Sequence, residues 1–271
     1  MLSIWLKKLI MNTKNNLLLI VDMQNDFCSP DGALYVKGAE KDIVRLGKFI
    51  SGYIDEINHI ILTQDNHNVI DISHPVFWED QNGNPPPAFT EINLKNILEG
   101  VWRPRFEREK AIEYLRKLES QGEFPHIIWP EHCIIGSNGA AIADEIMEPV
   151  KAWARRGNFF DVVIKGTNPL TEHFGALMAN VPIDDSPETQ LNTELVNKLT
   201  RFEKILVAGE AKSHCVATTV KQMLNIVVLS QKVIVLEVWS VDVTDIETID
   251  LPGYKKPREE EKKFISSTDL C

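Results

Sequence analysis

At 271 residues and 44% hydrophobic, the chain can bury a large core as one α/β domain, or as one domain plus an insertion. A net charge of −10 argues against nucleic acid and against an anionic membrane surface as partners. The four cysteines (Cys28, Cys133, Cys215, Cys271) are scattered without a CxxC pair, which excludes a dense disulfide framework and suits a reducing, cytoplasmic setting.

The opening MLSIWLKKLIM is apolar and basic, too short to span a bilayer and without a small-residue cleavage site. Residues 1–15 therefore read as a flexible extension, with Met11 a second candidate start, and residues 16–271 as a single domain. Asn16 to Val21 is a continuous apolar run closed by Asp22, the pattern of a strand buried on both faces. Ile43, Leu46, Ile50 and Ile54 predict a helix, and His59 to Thr63 a second strand running into Asp65 and His67. Residues 75–108, with three consecutive prolines, read as irregular and begin an inserted loop region of about 75–124.

Glu109 to Leu118 suits a short helix, and Pro125 to Trp129 a third strand entering Pro130, Glu131 and His132. A helical pattern over 140–154 precedes a fourth strand, Phe159 to Ile164, which ends at Lys165. Leu191 to Leu199 is helical, Ile205 to Ala208 is a fifth strand, and Val227 to Leu236 a sixth apolar run. The charged PGYKKPREEEKKF beyond it reads as a solvated helix or tail. Strands alternating with helices predict an α/β fold, a three-layer α-β-α sandwich on a mostly parallel six-stranded sheet.

Cys215 falls at a strand-to-helix turn, where Ser213 is a candidate N-cap and Val216, Val220, Met223 and Leu224 form one apolar helix face. Unpaired N–H groups and the positive end of the helix dipole favour a thiolate there and could hold an oxyanion. The plainer alternative is that a lone cysteine is a small buried hydrophobe. Asp22, Asp65 with His67, His132, Lys165 and Cys215 all lie at or just past predicted strand ends. In an open parallel sheet those ends line one crevice, so one shared site is the better account. Asp22 is the candidate base, and Lys165 the charge that holds the thiolate and orients the carboxylate. Singly, a loop-capping aspartate and a surface lysine explain these two as well. Asp65, His67 and His132 form an N/O donor set for Zn²⁺, Fe²⁺ or Mn²⁺, with His74 as a fourth ligand or outer partner. His59, His126, His173 and His214 read as ordinary polar residues.

In these residues the chain resembles the isochorismatase-like cysteine hydrolases, and within them the nicotinamidases. The stretches that carry the resemblance are IVDMQNDF (20–27), LTQDNH (62–67), WPEHC (129–133), KG (165–166) and GEAKSHCV (209–216). The resemblance implies a catalytic triad of Asp22, Lys165 and Cys215, and an oxyanion hole from the N–H groups of Ala211 and Cys215 next to a cis Glu210–Ala211 peptide. It further implies a divalent metal, zinc first with iron or manganese as alternatives, on Asp65, His67, His132 and His74, and a substrate ring held by Phe27 and Trp129. The activity it implies is deamidation of nicotinamide through a thioester. The expected partner is a small-molecule amide, with no nucleic acid or membrane, and a homo-oligomer is expected. Three rivals remain: a sister hydrolase acting on another small amide, a ureido compound or a vinyl ether; a binding protein without turnover; and a structural zinc protein. The last conflicts with the open coordination of an Asp/His/His set.

Overall fold

The computed structural model describes residues 15–122 and 124–236. The expectations placed on residues 1–14 and 237–271 lie outside the described residues. In chain order the elements are β1 (Asn16–Val21), α1 (Ala39–Gly52), β2 (His59–Asp65), β3 (Trp78–Glu79), α2 (Leu94–Leu98), β4 (Arg103–Pro104), α3 (Arg108–Gln121) and α4 (Asp144–Ala154). There follow β5 (Asp161–Lys165), α5 (Thr193–Leu199), β6 (Lys204–Gly209), α6 (Ala217–Leu224) and β7 (Val233–Val235).

The apolar runs build the sheet. Every residue of β1 is buried, and β1 pairs in parallel with β2 on one side and β6 on the other. The strand order is β5-β2-β1-β6-β7, so the chain winds outward from β1 to β5, then crosses back and winds the other way. Right-handed crossovers put helices on both faces of such a sheet, as expected for the three-layer sandwich. On one face α1 packs against α4. The backbones come so close that a Cβ on Gly47 would lie 2.3 Å from the Glu145 carbonyl oxygen. Trp153 is fully buried there and its indole N–H donates to the Ile57 carbonyl at 2.9 Å.

The sheet has five strands among the described residues, not six. The expected third strand, Pro125 to Trp129, does not join it. Prolines at both ends remove ladder donors. The remaining backbone groups turn instead to the insertion, with Ile92 N–H donating to His126 O at 2.9 Å and Ile128 N–H to Thr90 O at 2.9 Å. The last apolar run also divides, into a one-turn helix Val227–Ser230 and the strand β7. Ser213 is not an N-cap: the chain enters α6 through a wide turn over Lys212–Val216 in which no side chain caps.

The stretch read as irregular holds β3 and β4, paired antiparallel, and α2 closed by a capping box between Asn93 and Asn96. It has a second hydrophobic core of its own, in which Phe77, Trp78, Ile92, Ile97, Leu115 and Ile128 are buried together. Trp78 is fully buried and donates its indole N–H to Ile72 O at 2.6 Å. The scattered apolar residues that show no strand or helix period are the ones that fill this core.

At the carboxyl end of β6, Gly209 has φ 143° and faces Val21 of β1. A Cβ there would stand 2.0 Å from the Val21 carbonyl oxygen. Gly209→Ala is expected to lower stability by about 2–4 kcal/mol, read from the urea midpoint. An unchanged midpoint would show that the strand end can yield.

Candidate active site

The point at which the winding reverses lies between β1 and β6, and the chemistry-bearing side chains gather beyond the carboxyl ends of these strands and of β2 and β5. β1 leaves the sheet through Asp22, whose φ of 47° turns the chain sharply. Its N–H donates to Thr63 Oγ1 at 3.0 Å, and the Thr63 hydroxyl donates back to Asp22 Oδ1. Gln24 ties the ends of β1 and β2 together: its amide donates to Asp65 O and accepts from Asp65 N–H, both at 2.7 Å. Asp65 and Lys165 are direct register neighbours on β2 and β5.

Lys165 sits at the centre. Its side chain is 1% exposed, and Nζ lies 2.9 Å from Asp22 Oδ2, 3.1 Å from Asp65 Oδ1 and 3.7 Å from Cys215 Sγ. Nζ also donates to the His173 carbonyl at 2.9 Å. Asp22 Oδ2 and Asp65 Oδ1 have no aligned hydrogen bond, so their hold on the ammonium is an ion-pair contact rather than a directed bond. Burial lowers the proton affinity of Lys165, but Asp22 and then Asp65 outweigh it and keep the ammonium charged. Burial raises the Asp22 carboxyl against the opposing pull of Lys165. Burial also pushes the Cys215 thiol well up, with a smaller downward pull from Lys165, and Asp22 is within hydrogen-bonding reach of it. At 6% exposure this desolvation acts against the thiolate that a helix start favours, with Lys165 as the group that offsets it.

Ala211 precedes the wide turn, Cys215 lies within it, and the Glu210–Ala211 peptide is cis.

The donor set for a metal converges on one point. Ligand atoms of Asp65, His67 and His132 all lie within 4.8 Å of one another, and the residues are buried. His67 Nδ1 meets Asp71 Oδ2 at 3.1 Å, His132 Nδ1 meets Pro130 O at 2.9 Å, and His74 Nδ1 meets Val69 O at 3.3 Å. Each Nδ1 thus has an acceptor, which at His74 and His132 leaves Nε2 as the lone-pair donor, while Nε2 of His67 meets Asp65 Oδ2 at 3.0 Å. His74 Nε2 is buried with no hydrogen-bond partner among the described residues, and the His74 ring centroid lies 5.2 Å from that of His67 and 5.4 Å from that of His132. Burial, reinforced by His67, pushes His132 down to about 3, and burial lowers His74, so both present neutral imidazoles. A converging carboxylate and two imidazoles, with a buried partnerless nitrogen on a third imidazole packed against them, fit a divalent cation. His132 comes from a loop, not from a strand end; a parallel bridge between His67 and Ile134 holds that loop, together with Cys133 N–H donating to Asp26 Oδ2 at 2.6 Å.

Phe27 packs edge-on to His132 at 5.5 Å, and Trp129 edge-on to His214 at 5.5 Å. Phe89, from the insertion, also packs edge-on to Trp129, at 6.1 Å. Two histidines read as ordinary polar residues belong here: His173 through its carbonyl on Lys165, and His214 through its ring contacts beside Cys215. Glu172, also unassigned in the sequence, accepts the Trp129 indole N–H at 3.2 Å. A cavity of about 400 Å³ lined by Ile92, Leu115, Leu118, Phe124 and His126 contains none of the site's ionisable cluster, so the convergence of reactive groups, not cavity size, defines the site.

No protein-family model matches the chain. It is 26% identical over 202 residues to a nicotinamidase of Saccharomyces cerevisiae, covering 74% of this chain and 78% of that one. It is 27% identical over 209 residues to a nicotinamidase of Escherichia coli, covering 77% and 76%. In fold it matches the yeast nicotinamidase Pnc1p bound to the inhibitor nicotinaldehyde, with a TM-score of 0.59, 19% identity and coverage of 85% and 90%. A nicotinamidase and pyrazinamidase of Acinetobacter baumannii gives a TM-score of 0.54 at 23% identity, covering 89% and 87%. The chain has the isochorismatase-like hydrolase fold. In sequence it is similar to the nicotinamidases.

Removing the central ammonium leaves the buried Asp22 carboxylate without its counter-charge, while Asp65 keeps His67 Nε2 at 3.0 Å. Lys165→Met is expected to cost about 3–5 kcal/mol in urea unfolding at pH 7 with a chelator present. Without the lysine, the Asp22 carboxyl, already raised by burial, rises further in the folded state, and such a group stabilises the fold when protonated, losing that contribution as pH rises. The deficit should therefore shrink at pH 5; a larger deficit in acid would contradict the arrangement.

Proposed function

We propose that the protein hydrolyses nicotinamide to nicotinate and ammonia, with Cys215 as nucleophile. The observation that carries this reading is the triangle at Lys165, whose Nζ stands 2.9 Å from Asp22 and 3.7 Å from Cys215. The related nicotinamidases supply the substrate. In the proposed reaction Asp22 accepts the thiol proton as sulfur attacks the carboxamide carbon. Its raised pKa makes it a stronger base than an exposed aspartate. Lys165 compensates the negative charge whether carboxylate or sulfur holds it. The N–H groups of Ala211 and Cys215 are the proposed oxyanion hole. Asp22 then returns the proton to the departing nitrogen, ammonia leaves, and a thioester remains. A water that gives its proton to Asp22 cleaves the C–S bond, nicotinate leaves, and the thiol is restored.

Asp65, His67 and His132, with His74 as a fourth donor, would hold a divalent metal. Zinc suits the donors best and iron or manganese also fit. Bound there, it would supply a ligand position that orients the pyridine ring. Phe27 and Trp129 are the proposed walls for that ring. We read residues 16–271 as one hydrolase domain with an insertion at about 75–124. The free thiols of Cys28, Cys133 and Cys215 support a reducing, cytoplasmic setting. Among the described residues no helix is long and apolar enough to cross a membrane. The exposed Phe159, Val162 and Ile164 along the β5 edge support assembly as a homo-oligomer.

Cys215→Ala is expected to abolish ammonia release from nicotinamide while leaving the circular dichroism spectrum unchanged. Reduced, metal-loaded wild-type protein that releases no ammonia would redirect the reading to another small amide or a ureido compound. His67→Ala is expected to lower metal content by elemental analysis and to raise KM. Metal content and KM both at wild-type values would remove the metal from the proposal.

A further inference from the structure

Glu172 is a carboxyl group that the proposed chemistry does not use, yet it is buried at the site, at 5% exposure. Burial pushes it up to about 8, with Asp71 and Asp65 adding to the rise against His67 and Lys165. A neutral acid is easily accommodated near Asp71 and Asp65, where a further negative charge would not be. Its main chain is fixed at several points. Glu172 O accepts from Asn180 N–H at 2.8 Å, Phe174 N–H donates to Asn180 Oδ1 at 3.0 Å, and the neighbouring His173 O accepts from Lys165. From this anchored loop Oε1 reaches Trp129 Nε1 at 3.2 Å.

The ring contacts of Trp129 with His214 and Phe89 are both close to perpendicular, at 89° and 87°, and apolar edges of this kind do not distinguish one end of an indole from the other. The hydrogen bond does. A desolvated carboxyl is costly to place where packing alone is needed, and leucine or methionine would fill such a space. We infer that Glu172 is a positioning residue that locks the Trp129 indole in one orientation through Nε1–H···Oε1, and so sets how tightly an aromatic amide is held beside Cys215. The inference rests on the reading of Trp129 as a wall of the substrate pocket.

Two readouts test it. The Trp129 indole resonance in ¹H–¹⁵N spectra, assigned by its loss in Trp129→Phe, should move upfield in Glu172→Ala and stay near its place in Glu172→Gln, which keeps an acceptor. In nicotinamide hydrolysis, Glu172→Ala should raise KM about tenfold, the size expected for one buried hydrogen bond, with kcat within about twofold. Glu172→Gln should restore KM. In a Trp129→Phe background, which keeps a ring but lacks the N–H, Glu172→Ala should add nothing further. Glu172→Met serves if the alanine variant does not fold. An unmoved resonance, effects on KM that add in the double variant, or a kcat that collapses at constant KM would each overturn the inference. If the wild-type protein does not hydrolyse nicotinamide, the functional reading fails, while the indole resonance still decides whether Glu172 holds Trp129.

Discussion

The site depends on one buried ammonium. Lys165 is nearly inaccessible, and taking a lysine out of water costs several kcal/mol unless it is paired. Here two carboxylates, a carbonyl and a sulfur surround it. The dependence is mutual, because Asp22 and Asp65 are themselves buried and would repel each other without the cation. Asp22 belongs to the proposed proton-transfer machinery and Asp65 to the metal donors, so one lysine joins the two halves of the site electrostatically. Its fourth contact, the His173 carbonyl, extends that hold to the loop bearing Glu172.

The metal half has a different logic. Its histidines are oriented from outside, each through Nδ1 on a fixed acceptor. Asp71 is the least obvious of these acceptors and also the most firmly built in. Its Oδ1 takes the Ser73 hydroxyl at 2.7 Å and the Ser73 N–H at 3.0 Å, leaving Oδ2 for His67. The loop that delivers His74 is thereby folded by the same carboxylate that orients His67.

Much of this was legible in the chain. Asp22 and Cys215 follow apolar runs that form buried strands, Lys165 ends the edge strand β5, and parallel strands bring their ends together. The donor trio was legible for the same reason, although His132 arrives by another route. PHIIWP looks like a strand because Ile127, Ile128 and Trp129 sit together, yet its prolines and the neighbouring insertion claim its backbone. The contributions of His173, Gln24 and Glu172 were illegible because they act through a carbonyl, an amide bridge and a single side-chain bond, none of which has a periodicity. The burial of the Cys215 sulfur was illegible for a related reason: position at a helix start can be seen in a sequence, whereas depth of burial there cannot. The second core escaped notice because its residues come from β3, α2, α3 and the segments between, with no single repeating pattern.

The pairing of Asp65 with Lys165, and of Val21 with Gly209, has a consequence for how such a chain can change length. Neighbouring residues of a strand point to opposite faces, so adding or deleting one residue inside β1, β2, β5 or β6 would turn a reactive side chain away from its partners. The connections carry no such parity. The stretch between β2 and His132 has taken in an element pair, two helices and a separate core while His67 and His132 still meet. Insertions and deletions in this lineage should therefore be confined to the connections, and the strands should act as fixed rulers between them.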